Sequence, residues 1–289
     1  MEASPGQLPE PIFVGGVGRS GTHVMAKLLD QHPRFHRVRT EARFHSSPHG
    51  LADLDAGRTT LEEFGRRMRG HWWLRGANAR QGLSRVVERE TFDAALASFE
   101  AGYEAEPRAA ARTLIDSLLA PGAEQAGKPA WVEITGHNVE AAAYLLELYP
   151  RARFINMVRD GRAVVAATLK KPDLTDEPRR ALSRWEHMIR AADGAFRALP
   201  DGAMLNVWLD DLTAHDRERT LDAVLEHCRI DDPEPIREWF GREVSAERAH
   251  VGGWRERMAP ADVRWVDRRY RRLVGRMRRD GITWAPEPR

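Results

Sequence analysis

Cysteine is almost absent: Cys228 is the only one in 289 residues. An intrachain disulfide is impossible, and no cysteine cluster is available to hold zinc. Lysine is scarce too, confined to Lys27, Lys128, Lys170 and Lys171, so arginine carries nearly all the basic charge. The net charge is only +2, which argues against a whole-molecule nucleic-acid binder. No apolar run approaches the length of a membrane span, so no membrane association is expected. The opening MEASPGQLPEP lacks a basic region followed by an apolar one and is not a signal peptide. Together these absences predict a cytoplasmic, unanchored protein. There is no internal repeat and no low-complexity tract.

What is present suffices for a full core. Hydrophobic residues make up 42% of the chain and charged residues 30%, the balance of a globular protein. The length predicts one domain over residues 1–289, carrying an insertion.

The chain is organised around residues 11–33, PIFVGGVGRSGTHVMAKLLDQHP. Ile12-Phe13-Val14 is an apolar strand pattern, a glycine-rich turn follows, and Val24, Leu28 and Leu29 then mark one helix face. Strand, glycine loop and helix start make a phosphate cradle, because backbone N–H groups and the helix dipole converge on one point. The ATP and GTP loop reads GxxxxGK[ST]. Here Gly16 and Gly21 keep that spacing, but Thr22 stands where the lysine belongs and the cation is Arg19, inside the loop. Tight packing of a βα turn is the bland alternative.

Strand–helix alternation resumes later. Strands are predicted at 130–134, 153–158 and 204–208, giving four with the first. Helices are predicted at 138–149 (capped by Asn138), 161–169, 175–199, 216–227, 234–240 and 261–279 (capped by Asp262 or the residues before it). Residues 34–50 read as a loop, 59–106 and 108–119 as helical, and 121–129 as a Gly/Pro linker. This pattern predicts an α/β, three-layer, P-loop-like fold: a central parallel sheet flanked by helices, ligands at the carboxyl ends of its strands, and a helical insertion at about 51–128.

The stretch Gly18-Arg19-Ser20-Gly21-Thr22 resembles the 5′-phosphosulfate loop of sulfotransferases that use 3′-phosphoadenosine-5′-phosphosulfate (PAPS), which commonly reads P-[KR]-S-G-T. Here Gly18 replaces proline, and His23 replaces the usual second threonine. His32-Pro33 is common in the bacterial and Golgi-type branches, and without the membrane anchor of many Golgi members a bacterial or other cytosolic setting is expected. RFINMVRDGRAVVAATL, residues 153–169, resembles the 3′-phosphate segment of the same family. Arg159 leaves the strand at its carboxyl end, suited to a bidentate grip on phosphate. The family's serine eight residues later is Ala167, with Thr168 one position on. Arg248 to Arg255, RAHVGGWR, resembles the late loop that folds over the nucleotide, which implies roles for Arg248, Gly253 and Trp254.

The resemblance implies a sulfuryl transferase with PAPS and no metal, acting on a hydroxyl or amine of a small-molecule or glycan acceptor. Arg19 would steady the leaving oxygen as a fixed cation. Two residues qualify as the base. Glu41, in Thr40-Glu41-Ala42-Arg43-Phe44, resembles the glutamate step of heparan and tyrosylprotein members. His137, in Glu133-Ile134-Thr135-Gly136-His137, resembles the Lys-Thr-His step of cytosolic members with one residue inserted and Ile134 in place of the lysine. Glu41 is the favoured candidate. The cofactor set is Gly18, Arg19, Ser20, Gly21, Thr22, His23, Arg159, Thr168, Arg248, Gly253 and Trp254. The insertion, with Trp72, Trp73, Phe92, Phe99 and Tyr103, is expected to cover the acceptor. An ATP-dependent small-molecule kinase and a non-catalytic adenine-nucleotide module are the alternatives.

Overall fold

In the computed structural model, residues 10–75, 81–171 and 174–286 are described. Five strands form one parallel sheet: β1 (Ile12–Gly16), β2 (Phe35–Arg37), β3 (Ala130–Glu133), β4 (Arg153–Val158) and β5 (Met204–Trp208). Their order is β2-β3-β1-β4-β5. Ile12 pairs with Val132 and Phe13 with Glu133. Phe35, His36 and Arg37 pair with Ala130, Trp131 and Val132. All of β1 is buried, which is why its sequence is continuously apolar rather than alternating.

The helices are α1 (Thr22–Leu29), α2 (Leu51–Asp55), α3 (Leu61–Arg67), α4 (Arg89–Gly102), α5 (Pro107–Gln125), α6 (Ala142–Leu148) and α7 (Gly161–Leu169). They continue with α8 (Pro178–Ala198), α9 (Arg217–His227), α10 (Glu234–Glu243), α11 (Ala246–Ala249) and α12 (Pro260–Arg279). Among the described residues, no helix is long and apolar enough to cross a membrane.

Two compact units emerge, one from residues within 1–14 and 26–154, the other from 15–25 and 155–289. Strands β1 and β4 give residues to both. In the first unit, Phe13 stacks on Phe154 with centroids 5.3 Å apart, and Trp131 meets Phe13 edge-on at 5.4 Å. Phe64 of α3 and Phe99 of α4 lie 5.2 Å apart. Of the aromatics in the insertion, Trp72, Phe92 and Phe99 are buried core. In the second unit, Leu182, Trp185 and Ile189 of α8 pack with Val266, Tyr270, Leu273 and Met277 of α12. Spacings of three and four put these on one stripe and leave the arginines of α12 outside.

Several elements depart from the sequence pattern. The loop expected over 34–50 contains β2, a fifth strand, whose three residues are too few to show alternation. The expected linker at 121–129 is mostly helix: α5 runs through Pro121 to Gln125 because Leu118, Leu119 and Ala123 are buried and hold the last turn in place. Gly122 lies against His36, where a Cβ would come within 3.1 Å of Nε2. The helical stretch at 59–106 is broken. Thr60 does cap α3, accepting from the Glu63 amide, but residues 68–72 form a wider π turn and 83–85 a 3₁₀ turn before α4. Asn138 caps no α-helix; it sits buried in a 3₁₀ turn, and α6 begins at Ala142. Of the two positions offered for the start of α12, the cap is the earlier one: Ala259 stands at it, without a side-chain hydrogen bond.

Candidate active site

The glycine-rich loop after β1 bends where only glycine is at ease. Gly16 has φ +116°, and a Cβ there would meet the Met157 carbonyl oxygen at 2.3 Å. Gly21 has φ +98°, and its Cβ would meet Leu209 Cδ1 at 2.7 Å. Gly18 borders open space. Arg19 itself adopts φ 73°, a left-handed conformation costly for arginine and typical of functional turns. The Ser20 amide turns back to the Val17 carbonyl at 3.1 Å, and α1 then starts at Thr22.

Within the second unit a cavity of about 310 Å³ opens beside this loop. Arg19, Gly21, Thr22 and His23 line it with Arg159, Arg248, His250 and Arg257. Arg159 is 7% exposed. Its Nη1 donates to the Arg19 carbonyl at 2.9 Å, and its Nη2 donates to the Ala249 carbonyl. Burial lowers its guanidinium below the usual arginine value; Asp210 opposes this, while Arg257 and Arg19 add to it. Arg159 Nε and Arg257 Nε, on two residues that line this cavity, have no partner within the protein, and neither has Ser20 Oγ, enclosed in the loop itself. Leaving such groups unmatched costs roughly 1–3 kcal/mol each, so the two guanidinium N–H groups in the cavity are available to an acceptor from outside the chain.

Asp160 caps α7, accepting from the Arg162 amide at 2.7 Å. The buried Arg162 side chain ties Asp160 to Asp267 and is flanked by the rings of Trp254 at 4.8 Å and Tyr270 at 4.9 Å. Trp254 packs on Ala163 and Ala166 and lines a neighbouring cavity of about 440 Å³ in the same unit. Thr168 turns its hydroxyl onto the Val164 carbonyl at 2.8 Å, and Ala167 is the residue of that turn lining the loop cavity. Arg248 is exposed and bonded to Glu243. Gly253 lies at the turn before Trp254, where a Cβ would make ordinary contact with Glu256 Oε2 at 3.8 Å and the His250 carbonyl oxygen at 3.9 Å. Arg257 was not singled out from sequence; its signal was a second arginine in Trp254-Arg255-Glu256-Arg257.

The first unit holds both base candidates. Glu41 is half-buried and clamped by Arg43, whose Nε donates to Oε2 at 2.8 Å. Arg75 Nη1 lies 3.7 Å from the same oxygen, and Arg75 Nη2 donates to the Glu41 carbonyl at 3.1 Å. Arg43 takes φ 66°, a second left-handed arginine. His137 Nδ1 lies 3.3 Å from Glu140 Oε1. Ile134, at the position of the family's lysine, is buried and apolar.

Beneath these lies a buried cluster that the sequence reading did not single out: His45, Glu133, Thr135 and Asn138. Its signal was a carboxylate inside the apolar strand Ala130-Trp131-Val132-Glu133. Burial raises the Glu133 carboxyl, but the charge and hydrogen bond of His45, with bonds from Asn138 and Thr135, outweigh it and hold it down at about 2.

A family model described as "Sulfotransferase family" matches residues 11–234. The chain is similar to a protein-tyrosine sulfotransferase of Drosophila melanogaster, 25% identical over 213 residues, which covers 72% of this chain and 36% of that protein. It is 26% identical over 226 residues to protein-tyrosine sulfotransferase 2 of Gallus gallus, covering 76% and 51%. The chain thus spans roughly a third to a half of the length of these relatives. Among solved structures, the sulfotransferase domain from the Synechococcus PCC 7002 olefin synthase shares the fold, with a TM-score of 0.54 at 17% identity, covering 92% of this chain and 96% of that one.

Proposed function

The chain belongs to the sulfotransferase family, and from that membership we propose that it moves a sulfuryl group from PAPS to an acceptor hydroxyl. The observation that carries this reading is the pair of unpartnered donors Arg159 Nε and Arg257 Nε in a pocket lined by four arginines beside the glycine loop.

PAPS, when bound, would supply a sulfuryl group on a phosphate leaving group. The residues that would hold it are Arg19, Ser20, Gly21, Thr22 and His23 of the loop, with Arg159 and Arg257. Arg19 cannot release its proton, so its role is a fixed charge and hydrogen-bond donor toward developing negative charge. Glu41 would take the proton of the acceptor hydroxyl, with Arg43 holding its carboxylate in one orientation. His137 is the second candidate. Thr168 contributes no obvious grip, since its hydroxyl already serves Val164. Arg257 therefore joins Arg159 as the main phosphate cation, with Arg248 peripheral.

We place the acceptor beside the helical block over residues 51–128. Small-molecule and glycan hydroxyls fit this reading, and the names of the relatives make a tyrosine phenol the first acceptor to try.

Calorimetric titration with 3′-phosphoadenosine-5′-phosphate (PAP) and with ATP tests the proposal. Micromolar binding of PAP and none of ATP is expected. Mg²⁺-dependent ATP binding with no preference for a 3′-phosphate would overturn it in favour of a kinase.

A further inference from the structure

Glu133 is the last residue of β3 and is completely enclosed. Both its oxygens are spoken for. Oε1 accepts from the Ala42 amide at 2.9 Å and from the Thr135 hydroxyl at 2.7 Å. Oε2 accepts from the Thr135 amide at 2.8 Å and from Asn138 Nδ2 at 2.6 Å, with His45 Nε2 at 3.1 Å. A second layer continues outward. Thr135 Oγ1, its proton given to Glu133, accepts from the Arg43 amide at 3.0 Å. Asn138 Nδ2 also reaches the Val14 carbonyl at 3.2 Å, and its Oδ1 accepts from Ser46 Oγ at 2.9 Å.

Enclosing a carboxylate is expensive, and an apolar side chain at the end of a buried strand would hold the sheet more cheaply. Apart from the one with His45, the bonds of Glu133 share one destination: the chain next to the two base candidates. Ala42 and Arg43 follow Glu41. Thr135 and Asn138 bracket His137. We propose that Glu133 is a positioning residue that fixes the backbone carrying Glu41 and His137, acting on Glu41 through Thr135 and Arg43. Glu133 orients the Thr135 hydroxyl; that hydroxyl holds the amide of Arg43 in its left-handed conformation; the Arg43 guanidinium then clamps the Glu41 carboxylate. A base must stay within hydrogen-bond reach of the proton it removes, and a misplacement of about 1 Å costs on the order of 10²-fold in rate. This inference rests on the reading that one of these two residues accepts the acceptor's proton.

Thr135→Ala breaks the relay with little loss of volume, and Thr135→Ser restores the hydroxyl. Glu133→Gln removes the anchor itself. Two readouts are needed on the whole chain: amide hydrogen exchange at Ala42 and Arg43, and turnover followed as PAP release from PAPS with a tyrosine peptide as acceptor probe. Thr135→Ala should speed exchange at Arg43 and lower kcat roughly 10–100-fold, with PAP affinity unchanged, and Thr135→Ser should recover both. Unchanged exchange at Arg43 in Thr135→Ala overturns the proposal whatever the turnover. Faster exchange with kcat within about twofold of the parent also overturns it, leaving Glu133 a purely structural group. Glu41→Gln and His137→Asn run alongside. Full kcat in both would remove the base reading, and the exchange data would still report separately whether the tether exists.

Discussion

Arg159 Nη1 donates to the main-chain carbonyl of Arg19, 140 residues away in sequence, at 2.9 Å. The arginine assigned to the 3′-phosphate thereby also shapes the loop assigned to the sulfonate end. Its other terminal nitrogen holds the Ala249 carbonyl, so one guanidinium spans two loops of the same pocket.

Replacing Arg159 should therefore do more than remove one charge. Arg159→Met is expected to weaken PAP binding by about 10–100-fold, the worth of one charge-assisted contact, and to speed hydrogen exchange in both loops. Arg159→Lys should not rescue it, because an ammonium cannot bridge two carbonyls and still present a fork to phosphate. Calorimetry and exchange measurements on the two variants check both statements.

The two late-loop arginines should behave unequally. Arg257 has a buried Nε without a partner, whereas Arg248 is exposed and committed to Glu243. Arg257→Ala should cost PAP affinity roughly tenfold more than Arg248→Ala. Equal losses would reverse that ranking.

Glu41→Gln should lower kcat by roughly 10²–10⁴-fold while PAP affinity stays unchanged. The same measurement on His137→Asn separates the candidates. A fully active Glu41→Gln enzyme would pass the role to His137.

Two loop glycines make a controlled pair. Gly21→Ala must take φ +98° and press on Leu209, and should lose about 1–3 kcal/mol of stability together with cofactor affinity. Gly18→Ala meets nothing within 4 Å and should leave stability unchanged. Denaturant titration of the two variants provides the test.

Acid should act through Glu133. Its folded value, about 2, lies below the 4.5 of an unperturbed glutamate. A carboxyl depressed on folding stabilises the protein fully above its unfolded value, and that contribution is lost as pH falls from about 4.5 toward 2. The contribution is on the order of 3 kcal/mol. Parent protein should lose stability across this window, and Glu133→Gln should begin less stable and lose less. Parallel acid titrations of both proteins decide the matter.

The conformations of the glycine loop and of the turn after Arg159 were legible in the sequence because neighbouring residues spell them out. Gly16 and Gly21 mark the bends, and Asp160 caps its own helix. Arg257 was less visible, since nothing local shows that the side chain turns into a cavity. The Glu133 cluster was hidden for a different reason. Ala42 and Glu133 are 91 residues apart, and only the pairing of β3 with its neighbours brings them together. Likewise Pro121 and Gly122 signalled a break that burial of Leu118, Leu119 and Ala123 overrides.

The enclosure of Arg162 has a bearing on salt. Pairs such as Arg58–Asp53 and Arg66–Glu63 stand in solvent and are screened as ionic strength rises, but Arg162 is 1% exposed between two carboxylates and two rings. The guanidinium at the start of α7 is therefore shielded from dissolved ions, while the Asp267 carboxylate that holds it from α12 keeps a face in solvent. On the proposed reading, concentrated salt should compete with a phosphate ligand for Arg159 and Arg257 before it loosens Arg162, so ligand release and structural loss are expected at different ionic strengths.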